Sequence, residues 1–178
     1  MQSIDVRQLG PGETEFQWTL TASKLGLDGE GEFQYPIAVE VKARKISTRV
    51  MVAGTARCRV GLLCRRCVEP FEKDLEAEVA IEFCEGVPPS RKEDVIEDGD
   101  RDVSWYTAPL IDLTDDLRQI LLVAVPAYPL CGEHCRGLCP VCGANMNAVT
   151  CSCLPLTGGR PFEALEKLIE TEEKERKK

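Results

Sequence analysis

Histidine occurs once in this chain, at His134, and most of the usual equipment of acid-base catalysis is missing with it. No glycine-rich phosphate loop is present, nor a serine or cysteine nucleophile motif with a general base in sight, so a binding protein is expected and not an enzyme. No apolar run approaches the ~18 residues of a membrane span. The opening Met-Gln-Ser-Ile-Asp-Val-Arg-Gln-Leu has neither the basic start nor the continuous apolar stretch of an export signal. A cytoplasmic protein without membrane partners is the expectation. An excess of positive charge is missing as well, and a formal net charge of −8 argues against coating nucleic acid through bulk charge.

Cysteine, by contrast, is plentiful: ten in 178 residues, eight of them in two short windows. Without an export signal, a reducing compartment favours metal ligation over disulfides. The second window holds Cys131, Cys135, Cys139, Cys142, Cys151 and Cys153 among Gly, Pro and Asn. Two thiolates separated by two residues can grip one tetrahedral ion, and Gly143 can adopt the positive φ that turns backbone N–H groups toward sulfur. Cys139, Cys142, Cys151 and Cys153 are therefore the preferred zinc ligands. Cys64 and Cys67, with Cys131 and Cys135, form an alternative or second site. The competing reading makes these thiols buried small hydrophobes, or an ordinary turn at Cys64 and Cys67. A redox Cys-x-x-Cys needs a thioredoxin-like βαβ setting that the pattern lacks. Cys58 and Cys84 read as packing residues, and His134 as a bystander.

The periodicity before residue 85 is almost wholly two. Phe16, Trp18 and Leu20 alternate with polar neighbours, as do Val39 and Val41. Val50, Val52, Ala56, Cys58, Val60 and Leu62 share one parity, while Phe71, Leu75, Ala77, Val79, Ile81 and Phe83 share the other. Folding about residues 64–67 predicts a long hairpin in which Val60 faces Phe71, Ala56 faces Leu75, Arg59 faces Glu72 and Arg57 faces Asp74. Gly54 is expected at a bend or bulge. Residues 85–104 read as a solvated acidic loop. Leu113, Leu117, Ile120, Leu121 and Ala124 recur at helical spacing, capped by Asp112 or Thr114 and stopped by Pro126, predicting a helix over 113–125. Pro161 opens a second helix with a Phe162, Leu165, Leu168 and Ile169 stripe. The fold expected is α+β. Residues 1–126 form a mainly antiparallel β domain with the long hairpin and one short helix; residues 127–178 form a zinc-stapled segment ending in a helix.

Charge is unevenly placed. From Glu40 to Arg66 there are eight basic residues against one acid, whereas Cys67 to Ser104 holds thirteen acids against four bases. Arg57 and Arg59 face acids across the predicted hairpin, which leaves Arg65, Arg66, Lys42, Arg44 and Lys45 as the candidate RNA or partner contacts.

Cys-Arg-Arg-Cys-Val-Glu-Pro-Phe at 64–71 and Cys-Arg-Gly-Leu-Cys-Pro-Val-Cys-Gly-Ala-Asn-Met-Asn at 135–147 together resemble the YceD family of large ribosomal RNA subunit accumulation proteins. The resemblance extends from about residue 35 onward, through Cys151-Ser-Cys153 and Pro161-Phe162. It implies a cytoplasmic or organellar factor without enzymatic activity, needed for accumulation of large-subunit ribosomal RNA. Some relatives keep only the first Cys-x-x-Cys, which shifts functional weight toward the hairpin tip. The implied partners are large-subunit RNA or a pre-ribosomal particle, or a basic ribosomal protein. The rival reading is a zinc-dependent protein-interaction adaptor unrelated to RNA.

Overall fold

The computed structural model describes residues 2–28, 32–87, 103–107 and 109–153. Among them the chain runs through β1 (Ser3–Asp5), β2 (Thr14–Leu20), β3 (Ile37–Ile46), β4 (Arg49–Leu63), β5 (Pro70–Glu85), β6 (Val103–Tyr106), β7 (Leu110–Asp112) and a single α-helix, α1 (Thr114–Ala124). β1 and β7 form a small antiparallel pair. The main sheet has the order β2-β3-β4-β5-β6, antiparallel except for the β5–β6 pairing. Among the described residues the structure is thus mainly β with one α-helix. The predicted C-terminal helix and the centre of the predicted acidic loop lie outside the described residues. The ends of that loop are strand, with β5 continuing to Glu85 and β6 starting at Val103.

The period-two pattern becomes a sheet with one wet and one dry face. Ile37, Val39, Val41 and Ala43 of β3, Val50, Val52, Ala56 and Val60 of β4, and Leu75, Ala77, Val79 and Phe83 of β5 are all buried on the dry side. They are covered by Ile4, Leu25, Leu27 and Ile111, and by Leu113, Leu117 and Leu121 at helical spacing on and before α1. Asp112 accepts hydrogen bonds from the Thr114 backbone N–H and hydroxyl at the helix start. Each fully buried aliphatic side chain contributes ~1.5–3 kcal/mol. The wet face carries ion pairs: Lys42 with Glu15 at 3.0 Å, Arg57 with Glu76 at 2.8 Å, and Arg59 with Asp74 at 2.9 Å. Exposed pairs of this kind contribute only ~0.2–1 kcal/mol each. Apolar burial holds the sheet together, and the ion pairs refine its register.

That register corrects two expectations. Val60 faces Lys73 and Leu62 faces Phe71, while Arg59 faces Asp74 and Arg57 faces Glu76. The offset from the predicted pairing is two residues, which keeps every side chain on its predicted face. Its cause is the turn: Leu63 and Pro70 are the last pair, and the connection takes all of residues 64–69 instead of four. Nor is Gly54 a bulge, because Val41, Gly54 and Val79 pair in unbroken register. A Cβ at Gly54 would lie 2.0 Å from the Glu40 carbonyl oxygen and 2.6 Å from the Val41 Cα. Close approach of two backbones is what requires glycine there.

Gly54→Ala should therefore destabilise the fold by about 3 kcal/mol, since backbone and not a flexible side chain blocks the new methyl. Gly61→Ala is the matched control: its Cβ would meet nothing nearer than Gln34 Nε2 at 3.6 Å. It should be neutral or stabilising by up to ~1 kcal/mol. Urea unfolding of the two variants measures both effects.

Candidate metal centres at the hairpin tip

β4 and β5 have 15 and 16 residues, and at ~3.3 Å per residue they carry their tip about 50 Å from the opposite turn. At the tip the Cys64 N–H donates to the Glu69 carbonyl at 3.0 Å and the Val68 N–H to the Cys64 carbonyl at 2.9 Å. The same turn recurs downstream. The Cys139 N–H donates to the Ala144 carbonyl at 2.8 Å and the Gly143 N–H to the Cys139 carbonyl at 2.9 Å. In both, the residue after the second cysteine is left-handed, with φ 72° at Gly143 and φ 60° at Val68. Glycine supplies that conformation freely, whereas valine is strained in it.

Each turn presents two thiols to a second pair. Cys64 Sγ lies 3.7 Å from Cys135 Sγ, and Cys67 Sγ lies 3.7 Å from Cys131 Sγ. All four sulfurs fall within 4.8 Å of one another, and so do those of Cys139, Cys142, Cys151 and Cys153. A tetrahedral ion with Zn–S bonds of about 2.3 Å spaces its sulfurs about 3.8 Å apart, so the first cluster fits such an ion as it stands. Cys64, Cys67 and Cys135 are buried and Cys131 is exposed; in the second cluster only Cys139 is buried. The first cluster also joins the hairpin to residues 127–153, taking two thiols from each.

The thiols within a cluster share protons unequally. Burial raises the Cys64 thiol, but the N–H groups of Cys131, Cys67 and Arg66 outweigh it and bring it down to about 6. The N–H groups of Cys142 and Val141 bring Cys139 down to about 6 as well. Contact with Cys135 pushes Cys131 up to about 12, and contact with Cys142 pushes Cys153 up to about 12. Each cluster thus sheds its first proton readily and holds its last tightly until another cation replaces it.

Asparagines tie the two clusters together. Asn147 Nδ2 donates to Cys135 Sγ at 3.3 Å, and its Oδ1 accepts from the Arg136 N–H at 2.8 Å. That side-chain bond is the leading reason the Cys135 thiol is lowered. Asn145 Oδ1 in turn accepts from Asn147 Nδ2 at 3.0 Å, while Asn145 Nδ2 reaches Glu69 at 3.3 Å. Both asparagines belong to the second cluster's loop, yet they brace the first. Nothing in periodicity or spacing marks them, because their role exists only once the two turns are adjacent.

The five basic candidates do not converge. Lys42, Arg44 and Lys45 face Ala53, Met51 and Val50, toward the far end of β4, and Lys42 is held by Glu15. Arg66 is at the tip, but its Nη1 donates to the Glu133 and Cys135 carbonyls at 3.3 and 3.1 Å. Its guanidinium braces the first cluster. Arg65 is exposed, with its N–H donating to the Pro129 carbonyl at 2.9 Å. Arg136, also exposed, adds a tip cation that the charge tally up to Arg66 passed over. Beside Arg65 opens a groove of about 840 Å³ lined by Phe33, Leu62, Phe71 and Leu122.

Residues 52–169 match the family model described as large ribosomal RNA subunit accumulation protein YceD. The chain is 26% identical over 165 residues to a protein of Zea mays named large ribosomal RNA subunit accumulation protein YCED homolog 1, chloroplastic, covering 75% of this chain and 56% of that one. The Arabidopsis thaliana protein of the same name is 24% identical over 142 residues, covering 66% and 44%. An uncharacterized Mycobacterium tuberculosis protein is 28% identical over 112 residues, covering 61% and 50%. The chain spans about half the length of these relatives. No solved structure matches it.

The left-handed valine yields a direct test. A side chain with a Cβ in this conformation is destabilised by ~1–2 kcal/mol, and glycine's greater freedom in the unfolded chain offsets ~0.4–1 of that. Because Val68 is 59% exposed, little burial is lost on its removal. Val68→Gly should stabilise the tip by up to ~1 kcal/mol, read as slower hydrogen exchange at the Cys64 and Val68 amides. Faster exchange would show that the valine side chain holds the turn.

Proposed function

The chain belongs to the YceD family of large ribosomal RNA subunit accumulation proteins, and we propose that it supports accumulation of that RNA as a non-catalytic factor whose zinc-braced hairpin tip contacts RNA. The observation that carries the reading is the extent of the family match, which takes in the paired hairpin, α1 and both thiolate clusters while leaving out β1 to β3. Functional weight accordingly falls on the hairpin and what it carries. Among the described residues no helix is long and apolar enough to cross a membrane, in keeping with a role beside ribosomal RNA.

Zinc suits both clusters because four thiolates at tetrahedral spacing favour it over harder cations. Bound there, it supplies cross-links in place of an extended core. Arg66 and Asn147 offset the negative charge of the first cluster. That leaves Arg65 and Arg136 to meet phosphate, and the groove beside Arg65, lined by Phe33, Leu62 and Phe71 together with Glu32 and Glu72, has room for an unstacked base. Such recognition of single-stranded RNA by cation and stacking needs no net positive charge on the whole protein.

Purified protein should contain two zinc ions per chain, with Cys67→Ser and Cys142→Ser each removing one. Asn147→Asp should weaken only the first site, by about 10- to 100-fold, as loss of a ligand-orienting hydrogen bond does elsewhere. Zinc retention should fall as pH is lowered, because protons compete with the ion for every thiolate. Elemental analysis after dialysis at stepped pH measures all three. Metal-free protein with an unchanged fold would remove zinc from the account.

Arg65→Glu with Arg136→Glu should leave zinc content and thermal stability intact, lower large-subunit RNA in cells, and reduce the salt slope of RNA binding by about one to two. Arg57→Glu with Arg59→Glu, matched for abundance, should not lower RNA, because these arginines already face acids across the sheet. Normal RNA in the tip variant would place the contact elsewhere.

A further inference from the structure

β6 pairs with β5 only over residues 82–85. Among the described residues, the outer edge of β5 over 70–81 has no strand beside it. An open edge of this length exposes a row of backbone donors and acceptors, a template for another extended chain.

The surroundings of that edge are chemically uneven. Its wet-face side chains Glu72, Asp74, Glu76 and Glu78 are exposed acids. Arg59 and Arg57 hold Asp74 and Glu76 from the β4 side, while Glu78 stands opposite Thr55 and forms no ion pair among the described residues. On the dry side, the edge overhangs a shallow apolar groove of about 440 Å³ where Ala77 meets Ile120, Val123 and Ala124 of α1. Val123 is 85% exposed, although it lies on the only α-helix among the described residues. A strand laid along this edge would direct alternate side chains toward the acids and the others onto the small-residue floor.

From this pairing of an open edge, an acidic flank and an apolar floor, we infer that β5 receives an added strand from a partner protein: an extended segment alternating Lys or Arg with apolar residues. Cross-strand opposite charges stabilise such an addition and like charges oppose it. A second copy of β5 would set acids against acids. Residues 88–102 of this chain hold six acids against three bases, so they carry the wrong sign too. Nucleic acid is excluded from this edge by the same charge. The inference stands apart from the RNA reading, because it uses neither the tip arginines nor the thiolate clusters.

The test uses the full-length chain and three fluorescein-labelled ten-residue peptides: (Lys-Val)5, (Glu-Val)5 and (Lys-Pro)5, the last lacking half of its backbone donors. The lysine-valine peptide should bind and slow amide exchange over residues 72–80. The other two should bind at least tenfold more weakly. Val123→Asp and Glu78→Lys, both exposed and so compatible with an unchanged fold, should each weaken (Lys-Val)5 at least tenfold; matching melting temperatures check the fold. Equal binding of (Lys-Pro)5 would reduce the effect to charge alone and overturn strand addition. Amides over 72–80 already protected in the free chain, and unmoved by peptide, would show the edge covered by the chain itself. Loss of concentration-dependent dimerisation on Val123→Asp, with no effect on peptide binding, would assign the edge to a second copy.

Discussion

Four sulfurs at the far end of a long hairpin are what the rest of this molecule is arranged around. The apolar cover reaches the last hairpin residues, where Leu62 and Phe71 meet Phe33 and Leu122, but the turn at residues 64–69 beyond them has little of its own to bury. Cys64 and Cys67 solve that by gathering Cys131 and Cys135 from beyond α1 at tetrahedral spacing. The return of the chain after Pro126 is thereby fastened to the hairpin tip, with the second cluster beside it. Asn145 and the Arg66 guanidinium reach across between hairpin and returning segment, while Asn147 holds Cys135 within that segment.

The same constraint separates two kinds of charge. On the sheet's wet face, arginines and acids alternate across strands and cancel, so that the basic stretch from residue 40 to 66 is far less positive in space than in sequence. At the tip, Arg65, Arg66 and Arg136 stand beside the first cluster. One is spent on carbonyl groups of the first cluster, and Arg65 and Arg136 remain outward. Acids left over on the outer side of β5 form a surface of opposite sign. The tip arginines and the acidic edge of β5 thus lie on separate parts of the sheet.

Much of this was legible in the residues themselves. Alternating apolar positions from 50 to 62 and from 71 to 83 identify the dry face of both hairpin strands, because a period of two admits only one face. The helical spacing of Leu113, Leu117 and Leu121, with Asp112 before it and Pro126 after, locates α1 to within a residue at each end. Cysteine spacing makes 139, 142, 151 and 153 the preferred group of four and leaves 64, 67, 131 and 135 as an alternative or second site, and the fold brings each group together. Gly143 is left-handed, as its place after Cys142 requires.

Other features exist only in three dimensions. Parity survives a two-residue slip, so the sequence could not choose between pairing Val60 with Phe71 and with Lys73; the choice was made by a six-residue thiolate turn whose backbone bonds are not written in hydrophobicity. Gly54 looked like an interruption and proved to be a point of backbone contact, which depends on how closely β3 lies. Lys42, Arg44 and Lys45 are near Arg65 in charge tally and far from it in space, because a strand of fifteen residues intervenes. Composition and periodicity determined which residues face inward and that Cys139, Cys142, Cys151 and Cys153 can share an ion, since those follow from local spacing. Which residues meet across the hairpin, which thiols of the second window join Cys64 and Cys67, and which strand edge lacks a neighbour among the described residues were decided by tertiary packing, since each depends on segments distant in the chain arriving at one place.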